Sequence, residues 1–511
     1  MKARRICNAA VTLGLAGFLL LHPHAVADAP EPPASPPNIL FILADDLGYG
    51  DIEAYAPKSR IPTPHLNRLA AEGMRFTDAH SGSSVCTPTR YGLITGRYAW
   101  RTRLKSGVLF PPGDKPLIEP DRLTVARLLG RQGYHTTCIG KWHLGIEWAR
   151  DAAGEVDFNL PIRFGPTDVG FDAFFGIAAS LDMVPYGFYR DHDPVAAFTG
   201  EQPAQGFPRY VRRGPKAADF DPGAVLERLA DEAIDCLRQR AVAGDPFFLY
   251  LALTAPHKPV WPAERFRGTT ALGPYGDFVH QTDAAVGRVL GALDVAGLRE
   301  TTLVIFSSDN GSYMYRWPND QPDHVQDASV QGFWPARHQA NGSWRGTKAD
   351  VWEAGHRVPF LVRWPGEVRP GSRCDATVCL VDFLATCAEI TGVALPKNAG
   401  EDSFSLLSLF RGKEPTRPRA PVVNHSANGM FALRDGRWKM VFGNGSGGRE
   451  KPAGRPFQEP YALFDLDHDP GETANVLPQH PEIGNRLTAS LGAIRSSPGS
   501  RVELLRRPTA P

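Results

Sequence analysis

The chain has 511 residues, more than one hydrophobic core usually supports, so we expect two domains of unequal size. Its 56 Lys and Arg residues against 55 Asp and Glu residues leave a formal net charge of +1. Nucleic-acid-binding proteins usually carry a basic excess, so this balance argues against that class and predicts no nucleic-acid partner.

The first 27 residues have the features of a secretory signal peptide. A basic start precedes an apolar run at residues 9–21, and Ala25 and Ala27 form a small-residue cleavage site. The run is short for a membrane span of about 20 residues. We therefore predict cleavage, export to the periplasm or the medium, and no integral membrane span afterwards; an uncleaved anchor is the alternative. The Pro- and Ala-rich residues 28–37 are predicted to form a tether.

Continuous apolar runs typical of strands buried on both faces alternate with helical patterns. The runs lie at residues 38–43, 135–139, 247–253, 301–306 and 358–362. Helices are predicted at residues 63–73, 124–132, 223–242, 275–296 and 380–391. This alternation predicts an α/β fold with a large mixed, mostly parallel sheet flanked by helices.

The pattern changes near residue 397, which divides the chain into a large domain at 38–396, a Pro-rich linker at 397–424 and a small domain at 425–511. Alternating runs at 430–434 and 438–442, joined by a turn at Asp435-Gly436, predict that the small domain is α+β and built on an antiparallel sheet. In the large domain, residues 191–222 and 313–343 are predicted to be long loops that shape a substrate entrance.

Seven cysteines are present, and Cys7 would leave with the signal peptide. Cys374, Cys379 and Cys387 are close enough in sequence for local disulfide pairing, although small buried residues are an equally good interpretation.

Ionisable and amide side chains follow four of the predicted strands, where ligands bind in open α/β sheets. They are Asp45 and Asp46, Lys141 and His143, His257, and Asp309 and Asn310. Taken singly, each has an ordinary explanation as a turn, a cap or a buried histidine. Taken together, three carboxylates and one amide oxygen predict a site for Ca²⁺, with Mg²⁺ as the alternative. Positive charge and two proton carriers beside a cation indicate sulfuryl or phosphoryl transfer.

Residues 86–97 contain the pattern Cys86-x-Pro88-x-Arg90, followed by Thr95-Gly96. This pattern resembles the modification site of the sulfatase family. Further family-like motifs follow in the same order along the chain. They lie at residues 37–51, 133–143, 255–258, 308–311, 345–348 and 463–472.

The resemblance implies a formylglycine-dependent sulfatase whose catalytic domain is residues 38–396. Cys86 would be oxidised by a formylglycine-generating maturation enzyme, and the hydrated aldehyde would attack the sulfur of a sulfate ester. The resemblance further implies that the cation is bound by Asp45, Asp46, Asp309, Asn310 and the modified Cys86, and that Asp309 takes the proton of the nucleophile. Arg90 and Lys141 would hold the aldehyde hydrate, and Lys141 and Lys348 would neutralise sulfate oxygens. His257 would protonate the leaving alcohol, and His143 would remove the second hydroxyl proton.

The expected substrate is an aryl sulfate or a sulfated carbohydrate. Asp182 is a candidate for binding a sugar hydroxyl, with an Asx turn before Pro185 as the alternative, and His425 is a candidate pocket residue from the small domain. Two other functions fit parts of the pattern. One is a phosphate or phosphonate ester hydrolase on the same fold, and the other is a sulfated-glycan-binding protein that is never matured.

Overall fold

A ten-stranded mixed sheet forms the centre of the large domain in the computed structural model, which describes residues 36–415 and 418–501. The strands of the first half of the chain are β1 (Asn38–Asp45), β2 (Met74–Phe76), β3 (Ala79–His80), β4 (His135–Lys141), β5 (Ala173–Ile177), β6 (Tyr189–Arg190), β7 (Asp193–Pro194), β8 (Phe198–Gln202), β9 (Gly214–Ala217) and β10 (Phe247–Pro256). Those of the second half are β11 (Thr302–Ser308), β12 (Tyr315–Arg316), β13 (Gly332–Phe333), β14 (Phe360–Arg363), β15 (Ser372–Cys374), β16 (Val378–Cys379), β17 (Val422–His425), β18 (Phe431–Asp435), β19 (Trp438–Phe442) and β20 (Ala462–Asp465). The large sheet has the order β15-β2-β14-β11-β1-β10-β4-β5-β6-β7.

Helices cover both faces of this sheet. They are α1 (Pro64–Glu72), α2 (Cys86–Thr95), α3 (Val125–Gly130), α4 (Val225–Ala243), α5 (Gly273–Val295), α6 (Glu353–His356), α7 (Phe383–Ile390), α8 (Leu407–Phe410) and α9 (Pro481–Ser496). Ile39 and Phe41 of β1 pack in the core that α2, α3 and α7 share, whereas Leu40 and Ile42 pack against α1, α4 and α5. Because both faces of β1 are buried, the strand needs apolar residues at successive positions, and its apolar and polar residues do not alternate.

The five adjacent strands β11, β1, β10, β4 and β5 are mutually parallel, so their carboxyl ends meet at one edge of the sheet. The predicted mostly parallel sheet is thus confirmed. The predicted run at 358–362 begins as a strand only at Phe360, and this strand, β14, is antiparallel to β11.

Three smaller predictions are corrected. The segments 191–222 and 313–343 are not plain loops, because they carry β7 to β9 and β12 to β13. Asp435 pairs with Trp438, so the hairpin turn consists of Gly436 and Arg437, one residue later than predicted. Of the two interpretations of Cys374, Cys379 and Cys387, local disulfide pairing is wrong, because all three are free thiols in the described chain.

A separate four-stranded antiparallel sheet, β17-β18-β19-β20, lies near the C-terminus as predicted. Leu433 and Met440 of this sheet pack with Leu487 of α9, and the same core includes Tyr98 and Trp100 beyond the end of α2. The small sheet thus shares a core with the large domain. The domain boundaries stay a prediction; α8 and the start of β17 fall inside the predicted linker 397–424.

A buried polar cluster also joins the small sheet to the large domain. We call it the interdomain cluster, and its members are Asp78, His80, Glu353, His356, Lys439 and Glu472. Lys439 Nζ lies 2.8 Å from Glu472 Oε1, 3.1 Å from Glu353 Oε1 and 3.2 Å from His356 Nε2. His356 Nδ1 contacts His80 Nδ1 at 3.0 Å, and His80 Nε2 contacts Asp78 at 2.9 Å. Burial lowers the pKa of both histidines, and His356 Nε2 also contacts Val351 O at 3.1 Å. The two rings thus connect the Lys439 ammonium to the Asp78 carboxylate.

Residues 1–27, the predicted signal peptide, lie outside the described residues, as does the predicted tether apart from its last two residues. Across 36–415 and 418–501, none of the helices combines the length and apolarity that crossing a membrane requires.

Gly140, next to the site residue Lys141, occupies a position that tolerates only glycine. Its φ is +116°, and a Cβ there would lie 1.8 Å from the carbonyl oxygen of Ala252. We expect Gly140→Ala to lower the free energy of unfolding by roughly 2–5 kcal/mol, because it adds both backbone strain and a steric clash. Urea unfolding measures the change. The control is Gly291→Ala in α5, where no atom lies within 4 Å of the new Cβ and a small gain is expected. Equal midpoints for the two variants would contradict the prediction.

Candidate active site

The polar residues predicted at the strand ends converge at the carboxyl edge of the parallel strands. Asp45 is the last residue of β1, and the main-chain N–H of His257, just after β10, donates to its carbonyl oxygen at 2.9 Å. The N–H of Asp309 donates to Ala44 O at 3.1 Å, and Lys141 is the last residue of β4. These side chains are buried, so the parallel pairing of the strands fixes their mutual positions.

Three buried carboxylates face three cations, of which Lys141 and Arg90 are buried and Lys348 is partly buried. Lys141 Nζ donates to both oxygens of Asp45 at 2.9 and 2.8 Å, and Lys348 Nζ donates to both oxygens of Asp46 at 2.7 and 2.9 Å. Arg90 donates through Nε and Nη2 to Asp309 Oδ2 at 3.0 and 2.7 Å. We call these six residues the charged centre; breaking such a buried pair costs about 3–5 kcal/mol.

The pKa values of the two neighbouring aspartates move in opposite directions. Burial works against ionisation of Asp45, yet the charges of Lys141 and Arg90 hold its pKa below the ordinary value. For Asp46, burial outweighs the attraction of Lys348 and raises the pKa to about 6. Burial opposes the charge of Lys348, but Asp46 raises the pKa of this ammonium overall, so it stays charged.

Cys86 begins α2 and lies directly beside the charged centre. Its Sγ is 3.3 Å from Lys348 Nζ and 3.8 Å from Asp45 Oδ1, and the residue is 2% exposed. Burial raises the pKa of the thiol to about 12 despite the nearby lysines, so the sulfur is a neutral thiol. Arg90 follows one helical turn later and therefore projects from the same face of α2.

The two site histidines, His143 and His257, form hydrogen bonds through different ring nitrogens, so a different nitrogen is left free in each ring. His143, held at φ +58°, contacts Leu109 O through Nε2 at 3.0 Å, and its buried Nδ1 has no partner in the described chain. His257 contacts Lys258 O through Nδ1 at 2.6 Å, and its Nε2 lies 3.6 Å from Asp46 Oδ2. Burial and the nearby cations lower the pKa of both rings well below the ordinary value. Each neutral ring therefore keeps one nitrogen able to accept a proton.

The carboxylate and amide oxygens of the site suit a hard cation, whereas its thiol sulfur and imidazole nitrogen are softer donors. Asp45, Asp46, Cys86 and His257 each offer an atom, and all four atoms lie within 4.8 Å of one another. Asn310 donates through Nδ2 to Asp46 Oδ1 at 2.6 Å, while its buried Oδ1 lacks a partner in the described chain. An orphaned amide oxygen beside paired carboxylates is chemistry suited to Ca²⁺ or Mg²⁺.

Asp182 lies next to this site. Its Oδ2 accepts from Arg212 Nη1 at 2.5 Å, and its buried Oδ1 lies 4.0 Å from His257 Nδ1. This carboxylate therefore pairs with Arg212 instead of capping the turn before Pro185.

His425 is close to the site through its backbone. Its carbonyl oxygen accepts from the Ser83 hydroxyl and the Ser84 N–H, both at 3.0 Å, just before Cys86. The ring contacts Ser426 O and lies near Phe431, and burial lowers its pKa to about 4. Within the described residues, no hydrogen bond or ion pair of this ring reaches the charged centre.

Four residues at the outer side of His143 and His257 were not among the predicted site residues, although one of them, Lys258, belongs to the motif at residues 255–258. We call them the aromatic–cation rim: Phe110, Tyr210, Arg212 and Lys258. The Arg212 guanidinium lies 5.7 Å from the ring of Phe110 and 5.5 Å from that of Tyr210, and Lys258 Nζ lies 4.1 Å from the Tyr210 ring. Among the described residues, Lys258 has no carboxylate within ion-pair distance. Its position directly after His257 was the one signal available in the sequence.

Comparisons with known proteins agree on one family. The model of the sulfatase family matches residues 37–393, and the model described as N-sulphoglucosamine sulphohydrolase, C-terminal, matches residues 344–497. An N-acetylgalactosamine-6-O-sulfatase of Bacteroides thetaiotaomicron is 32% identical over 503 residues, covering 90% of this chain and 93% of that protein. Human arylsulfatase A is 35% identical over 465 residues, covering 87% of this chain and 84% of that protein.

A solved structure reported with glycosaminoglycan metabolism by Bacteroides thetaiotaomicron superimposes with a TM-score of 0.79 at 30% identity. It covers 90% of this chain and 99% of the solved chain. The sequence matches and the structural match span both the large sheet and the small C-terminal sheet. They favour neither the phosphate ester hydrolase nor the glycan-binding alternative. The chain therefore belongs to the sulfatase family and is a sulfuric ester hydrolase.

Proposed function

We propose that this sulfatase hydrolyses sulfate esters of carbohydrates with a formylglycine made from Cys86 and one bound divalent cation. The position of Cys86 carries the proposal, because its sulfur lies 3.3 Å from Lys348 and 3.8 Å from Asp45 at the point where the strand ends meet. A neutral thiol with a pKa of about 12 is a poor nucleophile in its own right, which favours its conversion to another group.

Oxidation of Cys86 to formylglycine supplies, once hydrated, a gem-diol nucleophile toward sulfur. Asp309 accepts the proton of the attacking hydroxyl at position 86. Arg90 fixes the Asp309 carboxylate through two hydrogen bonds to Oδ2. Lys141 and Lys348, both already within the charged centre, neutralise sulfate oxygens as negative charge builds up on them.

Two histidines carry the remaining protons. His257 protonates the oxygen of the leaving alcohol, and the negative charge of the bound sulfate favours the protonated ring because it offsets the neighbouring lysines. His143 removes the proton of the second hydroxyl through Nδ1, the buried nitrogen without a partner, while Leu109 O holds the opposite side of the ring. Sulfate then leaves and Cys86 returns to its modified resting form.

Asp45, Asp46, Asp309 and Asn310, together with the modified Cys86, are the proposed ligands of the cation. Oxygen ligands favour Ca²⁺, and Mg²⁺ is the alternative. When bound, the cation polarises a sulfate oxygen and the nucleophile as a Lewis acid.

The substrate proposal rests on the aromatic–cation rim and Asp182. The leaving alcohol meets His257, so the rest of its molecule lies against Asp182, Arg212 and Lys258. Aromatic rings suit sugar faces, and the uncompensated Lys258 ammonium suits a second sulfate or a carboxylate. The name of the Bacteroides relative, an N-acetylgalactosamine-6-O-sulfatase, supports a sulfated sugar. His425 stays a candidate for a supporting contact from the small domain.

The proposal has three further parts. The protein is exported to the periplasm or the medium, a formylglycine-generating enzyme matures it, and its catalytic domain is residues 38–396. Sulfated glycans are extracellular polymers, which agrees with the predicted signal peptide.

We expect mass spectrometry of the tryptic peptide 76–90, from protein made in its native host, to show an aldehyde in place of the thiol. We also expect Cys86→Ser to release at most one alcohol per active site from an aryl sulfate, because serine lacks the second hydroxyl proton. The control is Cys236→Ser on α4, which should keep full turnover. An intact thiol in active enzyme, or sustained turnover by Cys86→Ser, would refute the nucleophile.

Removing the cation by chelation should lower kcat by at least about a hundredfold, since a Lewis acid contributes several kcal/mol to the barrier. Adding Ca²⁺ or Mg²⁺ should restore kcat and raise Tm, because the ion binds only the folded protein. Metal analysis of the dialysed protein accompanies both measurements. Full activity in metal-free protein would contradict the cation site.

Lys258→Gln should lower kcat/KM for a disulfated sugar by about tenfold relative to that for a singly charged aryl sulfate, because one charge-assisted contact is lost. The matched control is Arg213→Gln, close to Arg212 in sequence but 74% exposed and paired with Glu201. An unchanged ratio of the two kcat/KM values would remove Lys258 from substrate recognition.

A further inference from the structure

A cavity of about 600 Å³ lies between the large domain and the small sheet. Arg97 and Trp100 line it beyond the C-terminal end of α2, whereas Cys86 is at the N-terminal end. A ten-residue helix is about 15 Å long, so this cavity is separate from the charged centre. We call it the interdomain pocket.

The lining of the interdomain pocket is strongly cationic. Its charged side chains are Arg97, Arg101, Lys105 and Arg495, and no Asp or Glu lines it. Glu401 and Asp402, which are not lining residues, pair with Arg97 and Arg101. Lys105 and Arg495 have no carboxylate partner among the described residues; Lys105 Nζ donates to Trp100 O at 2.7 Å. Two uncompensated positive charges therefore remain in the pocket.

Three aromatic rings also line the interdomain pocket. Trp100 and Phe431 lie 5.4 Å apart, and Phe431 and Phe457 lie 5.5 Å apart, measured between ring centroids. The Arg495 guanidinium lies 4.3 Å from the Phe457 ring. Phe457 is 39% exposed and has a φ of +57°, a costly conformation for a bulky residue that here presents an apolar ring to the pocket.

We propose that the interdomain pocket binds an anionic saccharide, as a second binding site for a sulfated glycan outside the catalytic centre. The proposal rests on the carbohydrate substrate proposed above. Guanidinium and ammonium groups bind sulfate or carboxylate substituents, and the exposed ring of Phe457 packs against a sugar face. A metal ion is excluded because carboxylate ligands are missing from the lining, and a purely apolar ligand would leave the cations desolvated.

The location gives this site a function in catalysis on polymers. A glycan chain held in the pocket keeps its other sulfated units close to the charged centre, so the second binding event becomes intramolecular. Short substrates cannot reach both sites and gain nothing from the pocket. The proposed effect is therefore specific to chain length.

The binding test uses the full chain with Cys86→Ala, which cannot turn over, and a chondroitin 6-sulfate tetrasaccharide as the probe. Calorimetric titration should find two sites per chain. Lys105→Gln combined with Arg495→Gln should weaken one of them by about tenfold, as expected for two lost charge-assisted contacts. The matched control combines Lys397→Gln with Arg238→Gln, two exposed positions elsewhere, and should keep both affinities. Phe457→Ala tests the aromatic wall separately.

Two outcomes would overturn the proposal: equal affinities in the pocket and control variants, or displacement of the tetrasaccharide from the pocket by an equal concentration of inorganic sulfate. The last result would mean a simple anion site. A single site per chain that the pocket substitutions weaken would support the pocket and contradict only the proposed carbohydrate substrate of the charged centre. Thermal unfolding of each variant checks that the fold is intact. Since the titration needs no turnover, a failure of the proposed chemistry would leave the binding result valid.

A kinetic test uses the active enzyme. The variant that combines Lys105→Gln with Arg495→Gln should have a KM for long sulfated chains several-fold higher than that of the control variant. The two variants should hydrolyse an aryl sulfate with the same kcat and KM. Equal KM values on long chains would contradict the proposed function of the pocket.

Discussion

The pairing of three buried carboxylates with three cations, two of them buried and one partly buried, is the constraint on which the rest of this structure depends. A charge without a partner in such a place is costly, so every element that supplies a partner must arrive in register. Lys141 comes from β4, Arg90 from α2 and Lys348 from the loop before α6. The order of the strands, the docking of α2 and the path of that loop are therefore tied to a single electrostatic requirement.

This requirement also explains how a reactive site can be rigid. Asp309 accepts from Arg90 on one oxygen and from the N–H of Asp46 on the other. Asp46 itself has a positive φ of 64°, which turns its carboxylate toward Lys348 and Asn310. This left-handed backbone conformation of Asp46 is tolerated because Lys348 and Asn310 hold its carboxylate in place. The local strain is thus part of what positions the carboxylate.

Much of this arrangement was predictable because the buried strands are continuous apolar runs that end in polar residues. The runs at 38–43 and 247–253 became β1 and β10, and parallel strands necessarily bring Asp45 and His257 to the same edge. The pairing of Lys348 with Asp46 was not predictable from spacing, since Lys348 lies in an irregular loop about 300 residues further along the chain. Arg212 was missed for the same reason. The short strands β8 and β9 were missed because glycine and proline dominate their local pattern.

The small C-terminal sheet is held to the large domain by charge as well as by apolar packing. Lys439 is fully buried and finds its carboxylates on two different elements, Glu353 of α6 and Glu472. Without α6, the ammonium of Lys439 would keep only the Glu472 carboxylate as a partner. Gly311, next to Asn310, donates in turn to Gly355 O of α6 at 3.0 Å. The interdomain cluster is therefore connected to the catalytic edge of the sheet through one short helix.

The burial of Cys86 has a consequence for the life history of the protein. The conversion proposed for Cys86 requires an enzyme to reach this side chain, yet all ten residues of α2 are buried once the helix has docked. Chemical conversion and folding therefore compete for the same stretch of chain. Under the proposed conversion, a molecule that folds first keeps its thiol, so the fraction of converted protein is decided before α2 docks.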